Sequence, residues 1–375
     1  MTVEKDYFQL LGLSPLINAS GTLTSLGGAR LRPAAAQAMA QAGKVFVDLD
    51  ELHRRAGERI ASLLGVPAAL VTVSASAGLV QAVAACMVGE DPYQRARLPD
   101  PVDKRRVIVQ CVHRNPFERS IRLAGAELVE IGDAIETFPE DLESALDQNT
   151  AAIVHFLQAD MLDASLPLDQ VIKVAGRFGI PVIVDAAAEL PPKHNLWDLV
   201  HRGADLVIFS GGKHIAGPQS SGLVVGHPEL VQAAYLQSVP YERVVARSMK
   251  AGKETILGFL AALEDYLQED EAARFEAWEN MAALFLEELN PLPFLKVTRY
   301  QPTQPKTQPA IVPRLAVRMD SEAPLSIAEL VHQLRTGVPP IVVEWNQHML
   351  WINTHTLTIQ ESHLIIRRIK EILQV

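Results

Sequence analysis

Seven short apolar runs, each bounded by turn residues, set the strongest limit on what this chain can fold into. They fall at Leu70–Val73, Arg106–Cys111, Leu128–Ile131, Ala151–Phe156, Val182–Asp185, Leu206–Phe209 and Leu223–Val225. Helical patterns separate most of them, as at Leu168–Phe178 and at Asp50–Leu64, where Leu52, Ala56, Ile60 and Leu63 recur at helical spacing. The alternation predicts an α/β protein with a seven-stranded, mostly parallel sheet covered on both faces. A long helix is expected from Lys253 to about Tyr266. Beyond it, strands at Leu315–Met319, Ile341–Trp345 and Met349–Asn353 and helices at Ser326–Arg335 and Ile359–Leu373 predict a smaller α+β domain. A chain of 375 residues exceeds one compact core. The expected division is an N-terminal segment 1–48, a large domain 49–248, and a linking helix with a small domain over 249–375.

The chemistry collects at the carboxyl ends of these strands, where ligands bind in open α/β sheets. After Ala204–Phe209 the chain runs Ser-Gly-Gly-Lys213-His-Ile-Ala-Gly, one lysine in a loop of small residues. Burial at such a place lowers a lysine's pKa and frees its amine to form a Schiff base with a carbonyl. Most loop lysines are only solvated, so a second residue matters. Asp185 ends the strand Val182–Asp185, and a lysine with an aspartate in this order matches what pyridoxal phosphate requires. The amine holds the aldehyde and the carboxylate keeps the pyridine nitrogen protonated. Ser74, Ala75 and Ser76 open an apolar helix just after a strand, a place suited to a phosphate. Capping of that helix by the serines is the plainer reading, and both can hold at once. For Asp185 the plainer reading is likewise a helix cap. Ser210 with Lys213 also spells the Ser-x-x-Lys of penicillin-binding enzymes, but the companion Ser-Asp-Asn and Lys-Thr-Gly motifs do not occur.

Five motifs extend the pattern: Ile17-Asn-Ala-Ser-Gly-Thr-Leu-Thr24, Val184-Asp-Ala-Ala-Ala-Glu-Leu-Pro-Pro192, Phe209-Ser-Gly-Gly-Lys213, Gly217-Pro-Gln-Ser-Ser-Gly222 and Met249-Lys-Ala-Gly-Lys-Glu254. Through them, from about Ile17 to Gly258, the chain resembles the selenocysteine-synthase-like branch of fold-type I pyridoxal-phosphate enzymes. Within that branch it is most similar to the D-glucosaminate-6-phosphate ammonia-lyase group. The resemblance implies the fold-type I, transferase-like architecture, whose large domain also has seven strands. It implies pyridoxal 5'-phosphate as cofactor, Lys213 as its anchor and Asp185 at its ring nitrogen. Ala187 would pass beneath the flat ring, and Ser74, Ala75, Ser76 and Ser210 would hold its phosphate. His113, just past a strand, is where such enzymes often stack a ring on the cofactor, and an imidazole can also move protons. A hydrogen-bonded loop histidine is the alternative. Asn18 and Thr24 belong to a motif that lines the substrate pocket in relatives. Arg247 and Lys250 lie in a basic segment that faces an active site there, often the neighbouring subunit's.

Three positions depart from the pattern. Gly212 stands where selenocysteine synthases carry aspartate, Ala216 where the ammonia-lyase group carries arginine, and Ala188 where many relatives carry a polar residue. The long basic N-terminal region that binds tRNA in selenocysteine synthases is also missing before the first motif, so selenium transfer is not expected.

Composition narrows the partners. The net charge of −10, with no sustained Lys/Arg run, opposes a nucleic-acid interface. Residues Ile60–Gly89 lack any charge, but Pro67, Thr72, Ser74, Ser76 and Gln81 break them into strand, loop and helix, so no membrane span is expected. No signal peptide is evident, and Cys86 and Cys111 show neither redox nor metal spacing, so buried free thiols in a reducing cytoplasm are expected. The histidines form no metal signature.

The expected function is a pyridoxal-phosphate lyase, acting by α,β-elimination on a β-hydroxy amino acid or amino sugar acid to give a 2-oxo acid and ammonia. Racemisation or epimerisation, aldol cleavage and transamination share its early steps and stay open, as does a non-catalytic cofactor-binding protein. Association into a homodimer or larger homo-oligomer follows from the resemblance.

Overall fold

The computed structural model describes residues 6–157, 163–238, 240–300 and 311–374. The sequence 301–310, whose three prolines predict a surface connection, lies outside them. Two compact units divide the chain: Ala29–Glu269 forms one, and the described residues up to Gly28 and from Asp270 onward form the other. The strands in chain order begin with β1 (Ile17–Asn18), in the second unit. β2 (Ala68–Thr72), β3 (Arg106–Gln110), β4 (Glu127–Ile131), β5 (Thr150–Phe156), β6 (Val182–Asp185), β7 (Leu206–Ser210) and β8 (Gly222–Gly226) all belong to the first.

Those seven strands form one sheet in the order β2-β8-β7-β6-β5-β3-β4. Only β8 runs against its neighbours, pairing antiparallel with both β2 and β7. Apolar side chains alternate to both faces. Val107, Val109, Val154, Ile208 and Val224 pack on one side, with Val80 and Ala84 of the helix Ala75–Val88. Ile108, Ile153, Val184, Val207 and Phe209 pack on the other, with Ile60, Val171 and Phe259 of the helices Leu49–Leu64, Leu168–Phe178 and Lys253–Gln268. Burial on both faces is why the strands read as continuous apolar runs. Ala75–Val88 buries nearly every side chain, as its charge-free sequence requires. Among the described residues no helix is long and apolar enough to cross a membrane.

The second unit adds β9 (Leu295–Tyr300), β10 (Arg314–Met319), β11 (Ile341–Val342), β12 (Glu344–Trp345) and β13 (Met349–Asn353). β12-β13-β10-β9 form an antiparallel sheet, while β1 pairs in parallel with β11. Helices Ile327–Thr336 and Ile359–Leu373 start at capping boxes, Ser326 with Glu329 and Thr358 with Glu361.

Local expectations needed correction in three places. Ile341–Trp345 is not one strand but two, broken at Val343, because β11 pairs with β1 and β12 with β13. The polar, proline-containing stretch Tyr93–Lys104 has the composition of an exposed loop, yet its start belongs to the short helix Pro92–Arg97, since the Asp91 carboxylate accepts from the N–H groups of Tyr93 and Gln94. Cys86 is buried as expected, but Cys111 is only half-buried.

Candidate active site

The carboxyl ends of β2, β5, β6 and β7 lie along one edge of the sheet. Thr72 and Ser210 both face Gly222, and Asp185 sits between Phe156 and Ile208. Asp185 is half-buried, and its Oδ1 accepts the Ala187 N–H at 3.0 Å, which turns the chain out of the strand. Burial raises the Asp185 carboxyl above its ordinary value, outweighing the Ala187 N–H and the nearby charge of Lys213. Lys213 shifts the other way. Burial lowers its ammonium, opposed by the charges of Asp185 and Glu189. Both groups are therefore drawn towards their neutral forms.

Lys213 rides on the loop between β7 and β8. Its two ends are joined by the Gly211 N–H donating to the Ser221 carbonyl at 3.0 Å. Within it, the Ala216 N–H donates to the Lys213 carbonyl at 2.9 Å, closing a tight turn in which Ala216 takes a left-handed φ of 55°. The returning chain at Gly222 touches the start of the helix Ala75–Val88. A Cβ there would lie 2.5 Å from the Ser74 carbonyl carbon and 2.6 Å from the Ala75 nitrogen, so only glycine fits. Ser74 caps that helix, its Oγ accepting the Ala77 N–H at 3.0 Å. The N–H groups of Ala75 and Ser76 come too early in the helix to join its ladder. Ser76 is exposed and its Oγ accepts from Ser120 Oγ at 3.2 Å. Ser74, Ala75, Ser210, Lys213, Asp185 and Ala187 thus follow or end β2, β7 and β6 along one edge of the sheet, with the amino end of β8 at Gly222 between β2 and β7.

His113 follows β3 and is buried. Its Nδ1 accepts the Phe156 N–H at 3.2 Å, so in the neutral ring Nε2 carries the proton and lies 2.8 Å from Ser165 Oγ. Burial, with the neighbouring His155 ring centred 4.5 Å away, pushes His113 down to about 2, and the imidazole stays neutral. Phe156 is the register partner of Asp185, which puts His113 one strand from the carboxylate.

Arg247 and Lys250 lie exposed on the segment before the helix Lys253–Gln268. Asn18 and Thr24 belong to the other unit. There Asn18 Nδ2 donates to the Gly21 carbonyl at 2.8 Å, its own carbonyl accepts from Thr356 Oγ1 at 2.7 Å, and Thr24 is exposed in a 3₁₀ turn. Glu189 lies in the Val184–Pro192 motif without a role read for it, whereas Ser165 and Arg32 carry no signal in the sequence. Ser165 and Arg32 reach the site through contacts far along the chain, which no local pattern signals.

The profile of the family described as "L-seryl-tRNA selenium transferase", SelA, matches residues 16–281. The chain belongs to the SelA family. Two curated relatives match it nearly end to end. The 5'-C-glycyluridine monooxygenase-decarboxylase of a Streptomyces species is 33% identical, over 98% of this chain and 92% of its own. The D-glucosaminate-6-phosphate ammonia lyase of Salmonella typhimurium is 32% identical, over 98% of each. A solved structure of D-glucosaminate-6-phosphate ammonia-lyase superposes with a TM-score of 0.85 at 31% identity, covering 100% of this chain and 99% of that one. The fold is that of fold-type I pyridoxal-phosphate enzymes, and the SelA family depends on that cofactor.

Proposed function

We propose that this SelA-family protein is a pyridoxal-phosphate lyase that removes the β-hydroxyl and amino groups of a 2-amino-3-hydroxy acid, releasing a 2-oxo acid and ammonia. The observation that carries the reading is the half-buried Asp185–Lys213 pair at the ends of β6 and β7, with both groups drawn towards neutrality. The residues present suit the cofactor. The free N–H groups at the start of Ala75–Val88, with Ser76 and Ser210 beside them, form a cradle for its phosphate, and Gly222 keeps that cradle clear of a side chain. Asp185 would hold a proton at the ring nitrogen, and Ala187 leaves room for a flat ring. Bound there, pyridoxal phosphate supplies an electron-accepting ring that stabilises negative charge at the substrate's α-carbon.

Lys213 would hold the aldehyde at rest and, once released by the substrate, take the α-proton on Nζ. The same ammonium then returns a proton to the departing β-hydroxyl, which leaves as water. A lysine whose ammonium is destabilised by burial suits both transfers. His113 presents a fixed, neutral ring, because both nitrogens are engaged. We read it as a cofactor-binding residue, with the proton transfers left to Lys213 rather than shared with the imidazole. Asn18, Thr24, Arg247 and Lys250 are proposed to meet the substrate, the last two as cations for an anionic group.

The near full-length match to the ammonia lyase supports elimination. The equally long match to the monooxygenase-decarboxylase supports a second reading, oxidative decarboxylation of an amino acid. Ammonia, 2-oxo acid, carbon dioxide and oxygen uptake are to be measured across a panel of 2-amino-3-hydroxy acids, with and without air. Ammonia and 2-oxo acid released equally without oxygen support the lyase. Oxygen-dependent release of carbon dioxide replaces it with the second reading. Inverted configuration alone, aldehyde release or amino transfer would each point to one of the sister reactions. A visible band, bleached by borohydride with the label on Lys213, tests the cofactor anchor.

A cytoplasmic homodimer is part of the proposal. Val45, Phe46 and Val47 form an exposed apolar run in the Ala29–Glu269 unit, of the kind that association covers. Light scattering of the purified protein tests it.

A further inference from the structure

Lys213 cannot aim its own amine. Its backbone lies in a turn whose last residue, Ala216, adopts a conformation that side chains with a Cβ disfavour. Something must hold that turn shut. The segment Ala29–Arg32 does so from both sides of the lysine. The Ala29 N–H donates to the carbonyl of Gly212, the residue just before it, at 2.9 Å. Beyond it, the Arg32 N–H donates to the Ala216 carbonyl at 2.9 Å and Arg32 Nε to the Ile215 carbonyl at 2.9 Å.

The rest of the guanidinium is fastened elsewhere. Nη1 meets Asp265 Oδ2 at 2.8 Å and Nη2 meets Glu269 Oε2 at 2.8 Å. Its Cζ lies 5.5 Å from the centre of the Tyr266 ring, and the side chain is only 12% exposed. A planar fork held at three points fixes direction as well as distance, which a lysine's single ammonium cannot reproduce. With both carboxylates engaged, the guanidinium is committed to the protein and is not offered to a substrate anion.

We propose that Arg32 is a positioning residue for Lys213. By gripping Ile215 and Ala216 it fixes the line along which the amine reaches the cofactor's aldehyde. The inference rests on Lys213 being the anchoring amine. A merely structural Arg32 would affect melting temperature alone, so the test reads the amine itself.

Pyridoxal phosphate is added to cofactor-stripped full-length protein, and growth of the visible band is followed against cofactor concentration and pH. The set is wild type, Arg32→Met, Arg32→Lys and the double variant Asp265→Asn with Glu269→Gln. In Arg32→Met the saturating rate of band formation is expected to fall by on the order of tenfold to a hundredfold, as for a misdirected reacting group. The half-saturating concentration should stay within about threefold, since the phosphate cradle is untouched. The pH midpoint of the band should rise, because a loosened loop lets water reach the nitrogen. Arg32→Lys should recover part of the rate. If Arg32→Met does not fold, the double variant carries the test. It frees the fork while leaving the loop contacts, and a smaller change in the same direction is expected. Wild-type rate and midpoint in every folded variant, with only the melting temperature lowered, would overturn the proposal. A wild-type protein that forms no band and no borohydride label on Lys213 would instead overturn the proposed function, and this inference with it.

Discussion

Each unit of the molecule buries a cation near a carboxylate, and the two pairs behave differently. In the Ala29–Glu269 unit, burial lowers Lys213 and raises Asp185, so each approaches the point at which it gives up or takes a proton. In the other unit, Arg314 begins β10 almost completely buried, with Glu344 at the start of β12. Burial lowers Arg314 only to about 10 and raises Glu344, and the guanidinium keeps its charge at neutral pH. The same physical pressure acts on both cations. A lysine yields to it and becomes a reagent, whereas an arginine resists and remains a fixed charge.

If that contrast holds, the two pairs should fail in different ways. Lys213→Ala should abolish ammonia release by about a thousandfold or more and remove the borohydride label, with no loss of thermal stability. A variant that still turned over within tenfold of wild type would break the comparison at its first member. Asp185→Asn should cost on the order of a hundredfold in turnover, read in the same ammonia assay. Arg314→Met should show up as stability, lowering the unfolding free energy by about 3 kcal/mol in a denaturant titration, because Glu344 is left without its cation. An unchanged midpoint would mean that the second pair holds nothing together.

The remaining effect is absent at neutral pH and appears only on acidification. His355, beside Arg314, is pushed down to about 3, first by burial and then by the arginine's charge. The unfolded chain takes up this proton near pH 6.5 while the folded chain refuses it. Stability is therefore fully present above pH 6.5 and declines as the pH falls towards 3, by up to about 1.4 kcal/mol per pH unit. His355→Asn should flatten the melting-temperature profile over that window. A profile unaltered by the substitution would place the acid sensitivity elsewhere.

How much of this was legible beforehand follows from how far apart in sequence the partners lie. The seven large-sheet strands were visible because each is buried on both faces and bounded by breakers. Lys213 and Asp185 were visible because each ends such a strand beside small residues. The antiparallel course of β8 leaves no mark on its apolar run. β9 and the helix Glu271–Leu289 carry a weaker signal, for their apolar residues are diluted by charged ones on a solvent face. Arg32 and Arg314 were invisible for a different reason. Arg32 meets its partners 183, 233 and 237 residues away, and nothing near Leu31-Arg-Pro33 distinguishes it from any other charged helix start. Periodicity reports what a segment buries; it is silent on which distant backbone a side chain will hold.

One consequence follows from the direction of β8. Because that strand returns alongside β7, the loop carrying Lys213 is an arch with both feet on the same sheet, the Gly211 and Ser221 backbones bonded across its base. In a parallel crossover the chain would leave the sheet and hang its lysine from one end. An arch can be rebuilt at its crown, residue by residue, while its footings stay where the sheet put them. Side chains can then drift along His214–Ser220 across generations without the amine losing its address.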